Sequence, residues 1–225
     1  MKNWYILFVQ AEKQSQLCFL LEQEGVHAFL PMMEYYRRDR RGLAEKPMFP
    51  GYIFVQSELT QKEFDDLLDS MEERRWGFIR QLKEEGGSAL TEEEKAFFQW
   101  LLDDGGTARM SYGYLNPAGK AAITYGPLIG CERHIRKTDK HNCLVLMDFA
   151  FREEPVKLGL KILTLKELRE QELYTEETES KVLRNKEKGA DKTTEEERVI
   201  KVFDEELQEE VEIDIEALIG KMTQL

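Results

Sequence analysis

Pro47-Met48-Phe49-Pro50-Gly51-Tyr52-Ile53-Phe54-Val55 is the stretch on which the reading of the fold turns. Its second half is apolar at successive positions and rich in aromatic and β-branched residues, the pattern of a central strand covered on both faces. Pro47 and Pro50 have no N–H to give to a ladder, so the strand is predicted to begin in earnest only after Pro50. Trp4-Tyr5-Ile6-Leu7-Phe8-Val9 has the same character and predicts a second central strand. Between the two, Leu17, Cys18, Leu20 and Leu21 recur at helical spacing and stop at Gly25, a natural helix end. Ala28 to Tyr36 reads as a strand, predicted to form a long hairpin with Gly51 to Val55, its tip the charged run Arg37-Arg38-Asp39-Arg40-Arg41-Gly42.

Further along, Thr60-Gln61-Lys62-Glu63 and Thr91-Glu92-Glu93-Glu94 are capping boxes, in which a threonine and a glutamate three residues on satisfy each other's backbone N–H groups. The first opens a helix with Phe64, Leu67, Leu68 and Met71 on one face; the second opens one through Phe97, Phe98, Leu101 and Leu102, ended by Asp103-Asp104-Gly105-Gly106. Trp76 to Leu82 lies between them as a fourth strand. The order predicts an α+β domain over residues 1–104, a mainly antiparallel sheet with flanking helices. Residues 105–119 turn to Gly, Ser, Tyr, Asn and Pro and read as a linker. Residues 120–165 carry short alternating runs between Gly-Pro and charged turns, the pattern of a small SH3-like β-barrel. An acidic extension, 166–225, starts as a helix, dissolves over Lys186 to Lys192, and returns as two alternating runs, Val199 to Phe203 and Val211 to Ile215, before a terminal helix from Ala217.

The 225 residues hold 32 Lys+Arg against 44 Asp+Glu, a net charge of −12 that repels nucleic acid and anionic membranes as a whole. Divided along the chain, residues 1–110 carry −6, residues 111–165 carry +3 and residues 166–225 carry −9, so a nucleic-acid contact is expected in the short basic segment. A mean hydropathy of −0.55 argues against an integral membrane protein. The only early apolar run ends at Glu12 and Lys13, too short for a signal peptide, which predicts a cytoplasmic protein without a membrane partner. Cys18, Cys131 and Cys143 lack metal-ligand spacing and read as buried thiols. Without a phosphate loop, zinc spacing or nucleophile motif, the expectation is a non-enzyme with no cofactor and no metal.

Phe49-Pro50-Gly51-Tyr52, taken with Trp4-Tyr5 and the later Gly126-Pro127-Leu128-Ile129-Gly130, resembles the NusG family of transcription elongation factors over about residues 3–165. That resemblance implies an N-terminal NusG domain joined to a KOW barrel. It implies too an apolar patch that grips the β′ clamp helices of RNA polymerase, carried here by Phe8, Phe49, Pro50, Tyr52 and Phe54. Tyr52 and Phe54 lie two apart and share a strand face; the same rings could instead fill the core. Bridging of the polymerase cleft and suppression of pausing or termination follow as implied functions.

Two basic segments complete the candidate sites. Arg37, Arg38, Arg40 and Arg41 are placed by their hairpin tip to meet upstream-fork DNA or the polymerase surface, or simply solvent. Arg133, His134, Arg136, Lys137, Lys140 and His141 crowd one turn of the barrel, and Arg133 stands where general NusG proteins commonly have Gly. This is similar to the specialised LoaP group of antiterminators, and implies contact with nascent RNA, in hairpin form; docking of ribosomal protein or termination factor is the alternative. Lys62 to Asp66 is too acidic to read a displaced DNA strand, and the −9 extension is expected either to fold back on the basic turn or to stay solvated.

Overall fold

A computed structural model describes residues 3–83, 89–152, 154–174, 199–204 and 209–214. The first sheet has the order β2-β5-β1-β6, built from β1 (Asn3–Val9), β2 (His27–Phe29), β5 (Tyr52–Ser57) and β6 (Phe78–Leu82). Its pairs are antiparallel, with Ile6 opposite Phe54 and Phe8 opposite Tyr52. Both faces are covered, as continuous apolar runs require. Tyr5, Leu7, Val9, Ile53 and Val55 meet Leu17 and Leu21 of α1 (Gln14–Gln23) and Phe64 and Leu68 of α2 (Gln61–Ser70). Trp4, Ile6 and Phe54 face the other way, onto Phe97 and Phe98 of α3 (Glu92–Leu101). Both predicted capping boxes form: Thr60 accepts from Glu63 N and Thr91 from Glu94 N, each glutamate answering the threonine's own N–H. Gly25 closes α1 at φ +86°, where a side chain would be strained.

Three expectations are corrected. The single strand Ala28 to Tyr36 breaks at Leu30-Pro31, because Pro31 has no N–H for the ladder; β2 stays in the first sheet and β3 (Met32–Arg37) leaves it. The strand after Pro50 begins as expected, as β5, but it is not the hairpin partner of β3: β4 (Gly42–Pro47) pairs with β3, and the two form a separate sheet, β4-β3-β7. The stretch read as a linker holds β7 (Thr107–Ala108), parallel to β3, and β8 (Ser111–Leu115). Its glycine is a close-packing residue, since a Cβ on Gly113 would collide with the Ala122 carbonyl of the neighbouring strand.

A second sheet, β10-β11-β12-β8-β9, stands where the small barrel is expected, with β9 (Ala121–Tyr125), β10 (Ile135–Asp139), β11 (Leu144–Phe151) and β12 (Glu154–Ile162). On β11, Val145, Met147, Phe149 and Phe151 alternate inward. The two sheets share one core, in which Phe49, Phe54, Phe97 and Phe98 pack with Phe149 and Phe151. Beyond it come α4 (Leu165–Glu170), opened by a third capping box at Thr164, and a hairpin of β13 (Val199–Asp204) with β14 (Glu209–Asp214). β13 lies against α3. The expected linker over Lys186 to Lys192 and the terminal helix lie outside the described residues. No helix among those described is long and apolar enough to cross a membrane.

Candidate functional site

The expected apolar patch divides by depth. Phe54 is 0% and Phe49 2% exposed, so both are core residues in this arrangement, whereas Phe8 and Tyr52 are half-buried and Pro50 is exposed. Phe8 and Tyr52 touch across the strand pair at 5.2 Å between ring centres. What buries the rest is Phe151 from the end of β11, at 4.7 Å from Phe49, 5.9 Å from Tyr52 and 5.6 Å from Phe54. Phe98 meets Phe54 and Phe151 edge-on at 5.1 and 5.5 Å, and Phe97 meets Phe149 at 4.8 Å. Such clusters combine large buried area with favourable ring geometry. Gly51 makes the bend into β5: its φ is +88°, its N–H donates to the buried Gln14 Oε1 at 2.7 Å, and a Cβ there would stand 3.0 Å from the Val9 carbonyl.

The two basic segments come together at one point. β3 runs beside β12, so close that a Cβ on Gly159 would meet the Glu34 carbonyl oxygen at 2.5 Å, and Lys161 Nζ sits 4.5 Å over the Tyr36 ring. The tip of the β3–β4 hairpin therefore reaches the β10–β11 turn, where Arg38 Nη1 lies 2.9 Å from His141 Nε2. Arg37 is turned back onto Asp39, whose carboxyl is held below its ordinary range by the Arg37 hydrogen bond. Arg40 and Arg41 are exposed at the tip; Arg133, Arg136, Lys137 and Lys140 are exposed along the second sheet. His134 is not one of this exposed group: its ring is mostly enclosed, with Nδ1 3.3 Å from Asp148.

Two other groups shape the joint. Arg109 holds Glu34 and Glu45 of the β3–β4 hairpin at 2.8 and 3.2 Å and also pairs Asp103, so its guanidinium is pushed further up by the Glu34 and Asp103 hydrogen bonds. Burial raises the thiol of Cys18 to about 11 and pushes Cys131 up further, which keeps both protonated and unreactive. Among the described residues no group of His, Cys, Asp and Glu is arranged to hold a metal ion.

Sequence reasoning missed two contributors. Phe151 was legible as the continuation of the alternation Val145, Met147, Phe149, but its contact with Phe49 depends on how two sheets meet. Trp76 is 67% exposed, with Lys13 Nζ 4.0 Å from its ring centre, in a segment expected to be strand. A tryptophan directly after Arg74-Arg75 was the available signal.

Fold and site together describe an α+β protein whose two sheets meet through shared aromatic rings. Residues 2–94 match the family model described as NusG, transcription termination factor nusG, and so contain every residue of the aromatic patch on the first sheet. No curated protein matches the chain. Among solved structures, a chain described as "Domain interaction in Thermotoga maritima NusG" matches with 13% identity and a TM-score of 0.39, over 72% of this chain and 94% of that one.

Proposed function

We propose that this chain is a transcription elongation factor of the antitermination kind, which grips the β′ clamp helices of RNA polymerase with the aromatic face of β1 and β5 and contacts nascent RNA with the basic turn of its second sheet. The observation that carries the reading is the family match over residues 2–94, the segment that holds Phe8, Phe49, Pro50, Tyr52 and Phe54. Large aromatic side chains give much contact area for little lost entropy and serve as interface anchors. In the described arrangement Phe8, Pro50 and Tyr52 are within a partner's reach, while Phe49 and Phe54 become so only when Phe151 withdraws. Polymerase and β11 thus compete for the same rings, and apparent affinity falls with the fraction of molecules that are open. The arginine tip is placed to add a contact to upstream-fork DNA, and the exposed cations of the second sheet to phosphates of RNA, with affinity that declines as salt rises.

Phe8→Ala with Tyr52→Ala is the informative test, because both rings are half-buried and their loss spares the deep core. Co-purification with RNA polymerase from a bacterial lysate is expected to drop at least ten-fold, with the circular dichroism spectrum retained. Undiminished co-purification of a folded double variant overturns the polymerase reading.

A further inference from the structure

Two cationic segments that lie about a hundred residues apart in sequence meet in a single hydrogen bond, Arg38 Nη1 to His141 Nε2 at 2.9 Å. A guanidinium has only donors. His141 Nε2 must therefore be the acceptor, which requires a neutral imidazole carrying its proton on Nδ1. Protonation of His141 destroys that acceptor and sets two cations against each other.

The surroundings favour an anion here. On its own turn His141 is flanked by Lys140 and Asn142; Asp139, reached by the Asn142 N–H and side-chain amide at 3.0 and 2.7 Å, keeps its charge and interacts with His141, and the Cys143 thiol faces Arg38 and Lys161. From the tip of the facing hairpin come Arg38, Arg40 and Arg41, with Asp39 engaged by Arg37 at 3.0 Å; Glu34 and Glu45, further along the same hairpin, are held by Arg109. From β12 comes Lys161, held over Tyr36. Among the described residues Arg40, Arg41, Lys140, Arg136 and Lys137 have no ion-pair partner. The junction thus presents an excess of cations, Arg38, Arg40, Arg41, Lys140 and Lys161, against the single carboxylate of Asp139, since Asp39 is paired with Arg37.

We infer that Arg38 and His141 form one phosphate-binding site across the two halves of the protein, and that occupying it takes up a proton on His141. A phosphate oxygen entering between them gives Arg38 a charge-assisted acceptor in place of the imidazole and turns His141 from acceptor to donor. Because the bound state holds the extra proton, affinity rises as pH falls through the range in which histidine changes charge. The inference rests on the RNA reading above for its ligand, a phosphodiester backbone, and adds to it the composite site and the proton.

The experiment uses the full chain and fluorescence anisotropy, with a 20-base-pair RNA hairpin and a DNA duplex of the same sequence as probes, from pH 8 to pH 6 at fixed ionic strength. Wild type is expected to bind RNA roughly five-fold tighter at pH 6 than at pH 8. His141→Gln, whose amide oxygen still accepts from Arg38 but cannot gain a proton, should flatten that dependence. His134→Gln, paired elsewhere, should keep it. Arg38→Ala should weaken binding about ten-fold and lower the salt slope by about one unit, although Arg38 lies outside the second sheet. If RNA binds with the same pH slope in wild type and His141→Gln, or if Arg38→Ala binds as wild type, the composite site is refuted and the RNA reading stands. Binding of the DNA duplex alone, with the slope lost in His141→Gln, keeps the site and replaces its ligand. No binding of either probe overturns both.

Discussion

Single residues in the patch differ in what their loss does. Phe54 touches Trp4, Phe29, Phe49, Phe98 and Phe151, and Phe54→Ala should cost about 3–5 kcal/mol of stability, read by urea unfolding. Tyr52→Ala, at a half-buried site, should cost clearly less. Gly51 is irreplaceable for a different reason: its positive φ and the Val9 carbonyl 3.0 Å from a would-be Cβ predict a loss of roughly 1–3 kcal/mol for Gly51→Ala, again in urea. At this scale the sequence revealed which residues matter better than where they point. Alternation correctly put Tyr52 and Phe54 on one face, yet no local pattern tells an exposed aromatic face from one roofed by Phe151, because the roof comes from a distant strand. The Arg38 to His141 contact was illegible for the same reason, while the neighbouring Arg37 to Asp39 pair is a two-residue affair.

Elements were the most legible scale where their signals are local. The capping boxes at Thr60 and Thr91 define helix starts with side chains three residues apart, and both formed as read. Thr91→Ala should destabilise the protein by about 1 kcal/mol in urea, enough to lower its melting temperature measurably. The Thr60 box carries a pH signature. Glu63 is held below the ordinary carboxylate range by the Thr60 N–H and then its hydroxyl. A depressed folded-state value means the contribution is present above the unfolded value and lost as pH falls through the folded one. Melting curves of wild type and Glu63→Ala should therefore differ near neutrality and draw together in acid; a gap as large in acid as at neutrality contradicts the Glu63 carboxylate as its source. Strand boundaries were less legible. Pro31 split one predicted strand, and β4, β7 and β8 formed where proline, glycine and serine suggested turns, because edge pairing and close packing tolerate those residues when a partner strand is supplied from elsewhere.

For the whole molecule, charge bookkeeping along the chain did not reveal that the hairpin β13–β14 packs β13 against α3, or that the arginine tip meets the basic turn at Arg38 and His141. The two halves are joined by aromatic rings at one end and by the Arg38 to His141 bond at the tip, while Arg109 braces the β3–β4 hairpin through Glu34 and Glu45 and also pairs Asp103. Gly159 permits the approach. Gly159→Val would drive β12 from the Glu34 carbonyl and from Met110, so the expected outcome is a lower melting temperature together with stronger polymerase co-purification, as Phe151 is levered off the patch. A variant that melts lower yet captures no more polymerase would show that the rings are not competed for.

The covering of Phe54 by Phe151 also has a timetable. The ribosome finishes the first domain, through residue 104, some 47 residues before it makes Phe151, which at synthesis of about 5–20 residues per second leaves that domain without its Phe151 cover for about 2–9 s. If the proposed function holds, a nascent chain still on its message is expected, during that interval, to bind polymerase best, before its own second half has been made to compete.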